Sequence, residues 1–423
     1  MRSPARKGRA SVFLETKIRK MRVAVIGQGY VGLTISMGAV GAGHEVIGVD
    51  YSETLVRNII SGISHIEGIS DSDIENALGR GLYRPTSDYS LISEVDLVVI
   101  AVPTPLNDDG QPDLGILEGA AKSIGSALKK RTLIVSESTS HPGTLRHLIR
   151  PLIESSSPFE HLYAISPERV DPGNEKFGTR NTPRIVGGLS DEARDKAIDF
   201  YRTFCDEVLP ASSAEVAEAA KILENTFRFI NIGLVNEFTK IMNEMGIPSD
   251  EVIAAARTKP YGFMPFHPNV GIGGHCIPVD PMYLQAKARE LGIESRYIAL
   301  SEQINEEMPN YVVERLTSMF GDLRGKRVQV FGVSYKADVA DTRETPASSV
   351  IRILKSKGAV VTWHDPLVRN WDGVESSPVD QDSDLGLVLV AHKKLDLKDF
   401  GAPVFTINPN PNFPNWRPLL SVR

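Results

Sequence analysis

Three features predict an α/β protein. A glycine-rich turn sits between a strand and a helix, a proline-free helical run of about thirty residues occupies mid-chain, and a second strand-then-glycine opening begins near residue 325. The expected architecture is two Rossmann-like domains joined by a helical middle domain with a long central helix. Residues 21–205 are expected to form the first domain, 206–320 the helical one and 321–423 the last. Residues 1–20 read as a basic, disordered extension without the apolar stretch of a secretory signal.

The elements follow in order. Met21 to Val25 is apolar enough for a buried first strand, and GQGYVG (Gly27 to Gly32) follows it. A helix is expected over Leu33 to Ala42, ended by Gly43, then a second strand over His44 to Asp50. Further strands are expected at Asp96 to Pro105, Thr132 to Thr139, Tyr163 to Val170 and Arg184 to Gly188. The long helix starts after Ser212 or Ser213 as N-cap and stops at Gly246. Its apolar members Ile222, Phe229, Ile232, Leu234 and Val235 read as core. Helices are expected at Ser249 to Arg257, Pro281 to Leu291 and Tyr297 to Glu307. The last domain opens with GKRVQVFGVSYK, followed by a helix in TPASSVIRILKSKG and strands in AVVTWHDP, LGLVLVAHK and PVFTINPN.

A length of 423 residues suits roughly three domains of about 150 residues each. A net charge of -6 argues against a general nucleic-acid binder. Two cysteines far apart offer neither a disulfide framework nor zinc spacing, which fits a reducing cytoplasm and no metal. No apolar run approaches the roughly 20 residues of a membrane helix.

Gly27, Gly29 and Gly32 fit GxGxxG: one glycine for the tight turn, one for approach of a pyrophosphate, one for helix–strand packing. Asp50 ends the second strand about 20 residues on, where a carboxylate can bond both ribose hydroxyls and repel a 2′-phosphate. The reading is NAD rather than NADP. Cys276 in GIGGHCIPVDP is a candidate covalent nucleophile, its approach kept open by Gly271, Gly273 and Gly274. A buried, inert thiol is the alternative. Lys221 and Asn225, spaced i and i+4, share one helix face.

GQGYVG, AVPTP, ESTSHPGT, SPERVDPGN, AEAAKILENTFRFINIGLVNE, GIGGHCIPVDP and GVSYKADVADTRETP, in that order, resemble the nucleotide-sugar 6-dehydrogenases, the UDP-glucose/GDP-mannose dehydrogenase family. Within it, SPERVDPGN, TKPYGFMPFHP and GGHCIPVDP look most like the UDP-N-acetylglucosamine 6-dehydrogenases. The UDP-N-acetylmannosamine enzymes compete closely, then the UDP-glucose enzymes. A two-electron β-hydroxyacid dehydrogenase is a further alternative that needs no Cys276.

The resemblance implies a four-electron oxidation of a sugar C6 hydroxyl to the acid, through a thiohemiacetal and a thioester on Cys276, with two NADH formed. It implies that Lys221 stabilises an oxyanion and Asn225 positions a hydroxyl or water. Asp280 would work with the lysine in proton transfer, its plain alternative being a helix cap beside Pro281. Thr139 would contact the water or oxyanion. Glu168 would support thioester hydrolysis, its alternative being a salt bridge with Arg169. Cofactor contacts are implied at Tyr30, Val31, Pro103, Thr104, Thr139 and Arg343 as well as the fingerprint glycines and Asp50. Substrate contacts are implied at Glu168, Arg169, Lys221, Asn225, Lys259, Tyr261, Phe263, His267, Gly273 and Lys336. Ala337 follows Lys336 where many relatives carry a second lysine. A homodimer through the helical domain is also implied.

Overall fold

The computed structural model describes residues 20–66, 68–171, 173–174 and 176–421. Residues 1–19 of the basic extension and Pro172 of SPERVDPGN lie outside the described residues. The N-terminal sheet has eight strands: β1 (Arg22–Ile26), β2 (Glu45–Val49), β3 (Tyr83–Thr86), β4 (Leu97–Ile100), β5 (Leu133–Ser136), β6 (Leu162–Ile165), β7 (Arg184–Gly188) and β8 (Val208–Pro210). Their spatial order is β3-β2-β1-β4-β5-β6-β7-β8. The order of strand addition reverses between β1 and β4, which opens a crevice at the carboxyl ends of the strands.

Alternation along β1 explains why the sheet is covered on both faces. Val23 and Val25 enter one core cluster and Ala24 and Ile26 the other, so neither side of the strand meets water. All neighbouring pairs run parallel except β6 and β7, which are antiparallel. Among the described residues no helix crosses over between these two strands. A long loop carrying SPERVDPGN joins them instead, and antiparallel pairing needs no crossover. The expected strand at Tyr163 to Val170 is therefore short, ending at Ile165.

The long helix spans Ala214–Glu244, and the Ser213 hydroxyl caps it by accepting the N–H of Val216 at 3.3 Å. Gly246, at φ 69°, turns the chain away. The helix packs on helices Asp280–Glu290 and Arg296–Phe320. Gly233 sets the closest approach: a Cβ there would lie 3.0 Å from Ser301. The helix expected to end at Glu307 continues to Phe320, through Pro309. A proline costs a helix one hydrogen bond. Burial of Met308, Val312, Val313 and Leu316 on the last domain's core outweighs that cost. The apolar reading of the long helix needs one correction. Ile222, Phe229 and Val235 are core, but Leu234 is 60 % exposed.

The C-terminal sheet orders β10 (Val360–His364), β9 (Arg327–Phe331), β13 (Leu385–Val388), β14 (Val404–Thr406) and β15 (Arg417–Pro418), all parallel. A small antiparallel pair, β11 (Asn370–Trp371) and β12 (Val374–Glu375), sits outside it. No helix among the described residues is long and apolar enough to cross a membrane.

Candidate active site

The glycine turn is held by contacts that exclude side chains. Gly27 has φ +88°, and a Cβ there would lie 2.4 Å from the carbonyl oxygen of Ala101 at the end of β4. A Cβ on Gly32 would lie 1.8 Å from the Gly27 carbonyl oxygen. Gly29, the N-cap of helix Tyr30–Gly41, meets nothing within 4 Å and makes no side-chain cap bond. Open space above Gly29 faces the N-terminal turn of this helix, where Tyr30 and Val31 lie half-buried. Asp50 is fixed by accepting the N–H of Gln28 at 2.7 Å and of Ser52 at 2.9 Å. This cradle and its carboxylate fit a dinucleotide lacking a 2′-phosphate.

Gln28 was not singled out from the sequence, yet its buried side chain ties the turn together. Its Nε2 donates to the carbonyls of Val25 (2.8 Å) and Gly27 (3.0 Å). Its Oε1 accepts from the Tyr83 hydroxyl at 2.6 Å and from Ser36 at 3.1 Å. Strand β3, which brings Tyr83, was also missed.

Pro103 and Thr104 follow β4, Thr139 follows β5 and Glu168 follows β6, so all sit at carboxyl ends of the sheet. The Thr104 hydroxyl donates to the Thr139 carbonyl at 2.7 Å and joins two of these loops.

Lys221, Asn225, Cys276 and Asp280 come together across the helical domain. The Asn225 Nδ2 donates to the buried Asp280 carboxylate. The Cys276 carbonyl accepts the N–H groups of Asp280 (2.8 Å) and Val279 (3.2 Å), which seats the thiol at the start of helix Asp280–Glu290. Asp280 is the first residue of that helix and its side chain makes no cap bond, so the capping alternative falls. Burial pushes the Asp280 carboxyl up to about 6, with Lys221 and the Asn225 bond pulling the other way. Burial pushes the half-buried Cys276 thiol up to about 12; Asp280 adds to this, while Lys221 and Arg343 oppose it. No hydrogen bond joins His275 to Cys276 among the described residues, and burial with Arg343 pushes His275 down to about 4. It is a neutral neighbour.

The glycines before the thiol serve packing here. A Cβ on Gly273 would lie 2.6 Å from the Tyr335 Cβ and 2.8 Å from the Glu344 carbonyl oxygen. The Gly274 N–H donates to the Arg343 carbonyl at 3.0 Å, so the thiol loop is stitched to the C-terminal domain. Arg343 itself forks onto Asp341, with Nε 2.9 Å from one oxygen. Lys336 reaches Asp171 at 2.7 Å, bridging the C-terminal loop and the loop after β6.

Glu168 does not pair with Arg169. Arg169 binds Glu224 at 2.7 Å and the Pro183 carbonyl. Glu168 accepts the N–H groups of Arg169 (2.7 Å) and Val170 (2.8 Å) on one oxygen and the Arg184 guanidinium on the other. Burial alone would raise its carboxyl, but Arg184, these two bonds and Lys221 hold it below the usual range. Arg184 was missed in the sequence; its one signal is a charged residue opening an otherwise apolar strand. Lys259, Tyr261, Phe263 and His267 are exposed, and among the described residues no hydrogen bond or ion pair ties them to the Cys276 cluster. The Lys259 ammonium sits over the Tyr261 ring at 5.1 Å. No metal-ligating group of side chains occurs among the described residues.

Comparison with known proteins matches three family models in order. These are the NAD binding domain of the UDP-glucose/GDP-mannose dehydrogenase family over residues 21–205, its central domain over 215–307 and its UDP binding domain over 329–407. A UDP-N-acetyl-D-glucosamine 6-dehydrogenase of Pseudomonas aeruginosa is 33% identical over 91% of this chain and 93% of its own. A UDP-N-acetyl-D-mannosamine dehydrogenase of Pyrococcus horikoshii is also 33% identical, over 82% and 84%. The solved structure of a UDP-glucose dehydrogenase from Pyrobaculum islandicum superposes with a TM-score of 0.85 at 27% identity, covering 93% of this chain and 95% of that one.

Proposed function

From the premise that this chain belongs to the UDP-glucose/GDP-mannose dehydrogenase family, we propose that it oxidises the C6 hydroxyl of a UDP-N-acetylhexosamine to the uronic acid through Cys276. UDP-N-acetylglucosamine is the favoured substrate. The Pseudomonas relative supports that choice, and the mannosamine enzyme of equal identity is its competitor. The observation that carries the mechanism is the meeting of Asn225 and Asp280 beside Lys221 and Cys276.

NAD, when bound, supplies the acceptor for the hydride of each oxidation. The chain's residues do the rest. Asp280, poised near neutral pH, accepts the C6 hydroxyl proton, and the Lys221 ammonium stabilises the alkoxide. The product of this first oxidation is an aldehyde. Asp280 releases that first proton to solvent, and the Cys276 sulfur then bonds to the aldehyde carbon while the thiol proton passes to Asp280. Oxygen charge again falls on Lys221. Loss of a second hydride from that oxyanion leaves a thioester. Water cleaves the C–S bond, the sulfur regains a proton and the acid leaves. Four electrons are removed in all. Both Glu168 oxygens are engaged and its carboxyl stays ionised. We assign it to orienting the water as a hydrogen-bond acceptor rather than to storing its proton. Asn225 and Thr139 position the reacting oxygen.

Tyr261, Phe263, Lys259 and His267 are assigned to the nucleotide-sugar, with Lys336 exchanging Asp171 for a phosphate or carboxylate. Their exposure leaves them available for it. Val216, Leu223, Phe227, Leu234, Ile241 and Met245 are exposed apolar residues spaced by sevens and fours along the long helix. Such a seam supports a homodimer through this helix. Free thiols at Cys205 and Cys276 suit a cytoplasmic setting.

The test is NADH formed per sugar, run with UDP-N-acetylglucosamine, UDP-N-acetylmannosamine and UDP-glucose. Two NADH from the first, with poor turnover of the others, is the expected result. One NADH per sugar removes the thioester step. Turnover of the mannosamine sugar alone keeps the chemistry and overturns the substrate.

A further inference from the structure

Beneath Glu168 lies a buried charge cluster that the proposed chemistry does not use. Arg184, 3% exposed, opens β7 and lies between two carboxylates. Its Nη2 holds Glu168; its Nη1 lies 3.1 Å from Glu137 Oε1, just after β5, and 3.1 Å from the Ser166 hydroxyl. The guanidinium sits 4.6 Å from the Tyr201 ring centroid, and the Tyr201 hydroxyl donates to the same Glu137 oxygen at 2.5 Å. Among the described residues, the second Glu137 oxygen and the Arg184 Nε have no hydrogen-bond partner, and both are buried.

We propose that Arg184 is a positioning residue shared by Glu137 and Glu168, and that a proton moving on and off Glu137 changes how firmly Arg184 holds Glu168. The charge count drives this. One guanidinium cannot neutralise two buried carboxylates, and a second negative charge in low dielectric is costly. Glu168 has two backbone N–H bonds in addition to Arg184, whereas Glu137 has one bare oxygen, so the proton settles on Glu137. Burial pushes Glu137 up to about 7, Glu168 adds to that, and Arg184 with the Tyr201 bond opposes it. The charged and titratable groups facing Glu137 are Arg184 from β7, Glu168 after β6, and Tyr201 and Cys205 at and beyond the end of helix Asp191–Tyr201; Lys221 of the long helix faces Glu168. With Glu137 protonated, Arg184 commits to Glu168 and keeps it a fixed, ionised acceptor. With Glu137 ionised, Arg184 is divided and the Glu168 carboxylate is freer and more basic.

The inference rests on the thioester reading for Glu168, so the test separates the two. Infrared spectra of the intact enzyme carrying 13C-carboxylate glutamate, taken across about pH 5 to 9, read protonation directly. In a Glu218→Gln background, which removes the other buried glutamate raised to about 7, a buried carboxylic acid band should disappear near pH 7 and be absent once Glu137→Gln is added. In parallel, kcat and KM are measured against pH. Glu137→Gln should flatten the kcat limb near pH 7 with KM unmoved. Tyr201→Phe, which keeps the rest of the cluster, should shift that limb to higher pH. Arg184→Lys should lower kcat by roughly tenfold or more, the scale typical of lost supporting contacts. Identical infrared titrations with and without Glu137→Gln in that background, or a kcat limb that both variants leave in place, overturn the proposal. Acid formation by Cys276→Ser at the parental rate overturns the thioester reading instead, an outcome the infrared arm does not depend on.

Discussion

Replacing Gly32 and Gly29 by alanine, separately, tests the glycine turn, because the two residues sit 3 apart in sequence with opposite constraints. At Gly32 the new Cβ would lie 1.8 Å from the Gly27 carbonyl oxygen, and real Cβ atoms essentially never come within 3.0 Å of such an atom. The turn must therefore open by about 1.2 Å, against a Gly27 that is itself wedged on Ala101. Overpacking of this kind costs roughly 1–3 kcal/mol, more when backbone has to move. For a domain of this size that is a fall in melting temperature of roughly 2–12 °C. At Gly29 the Cβ meets nothing and φ is -67°, so Gly29→Ala should melt like the parent. Its methyl instead fills the space a pyrophosphate needs, and NAD binding should weaken by roughly ten- to hundred-fold, or about 1.4–3 kcal/mol. Thermal melts with and without NAD, and calorimetric titration, separate fold from ligand. The reasoning is refuted if Gly32→Ala melts and binds as the parent, or if Gly29→Ala keeps full affinity.

Three further outcomes are expected. Asp280, pushed up to about 6, is protonated below that pH and cannot accept the hydroxyl proton. The parental kcat should fall as pH drops through 6, and Asp280→Asn should lose roughly 100-fold or more in rate together with that limb. A limb that survives in the variant rules Asp280 out as its source. Glu218 is buried on the long helix, accepts the N–H groups of Gly143 (2.6 Å) and Leu145 (3.0 Å), and is pushed up by burial to about 7. Its folded value exceeds the unfolded one, so its stabilisation is full below about 4.5 and is lost as pH rises through about 7. Denaturant melts should show Glu218→Gln gaining on the parent by roughly 2–3 kcal/mol between pH 5 and 8, whereas an equal gap at both pH values contradicts the burial argument. Leu234→Glu places a charge in the exposed seam, and sedimentation should show a monomer where the parent is a dimer. A parent that already sediments as a monomer rejects the seam.

What was legible in the sequence is what is local in the chain. The turn Gly27 to Gly32, Asp50 just past the second strand and the i, i+4 pair Lys221 and Asn225 lie within one or two elements. Their spacing alone puts them in place. The helix over Ser249–Arg257 also has the expected bounds. Legibility ends where a contact joins distant segments. The run past Pro309 depends on apolar partners in the last domain, so no local rule extends the helix there. The direction of β7 depends on how the segment after β6 connects to it, with no crossover helix among the described residues, not on anything inside RIVGG. Exposure of Leu234 depends on which side of the long helix the helices Asp280–Glu290 and Arg296–Phe320 take.

The same distinction explains why the reading of Glu168 changed. From the sequence its nearest cation is Arg169, the next residue, and a local pair is the natural alternative. In the fold that arginine turns to Glu224, and Glu168 takes Arg184 from the neighbouring strand. A carboxylate bound on both oxygens and held below its usual range is a poor reservoir for a proton but a good fixed acceptor. Proton storage then has to fall to groups whose burial raises them toward neutrality. Asp280 beside the thiol and Glu137 behind Arg184 are both of that kind. Two carboxylates raised and one depressed within a single buried neighbourhood divide the work between acceptor and proton carrier, as pairs pushed apart by their surroundings do in other active sites.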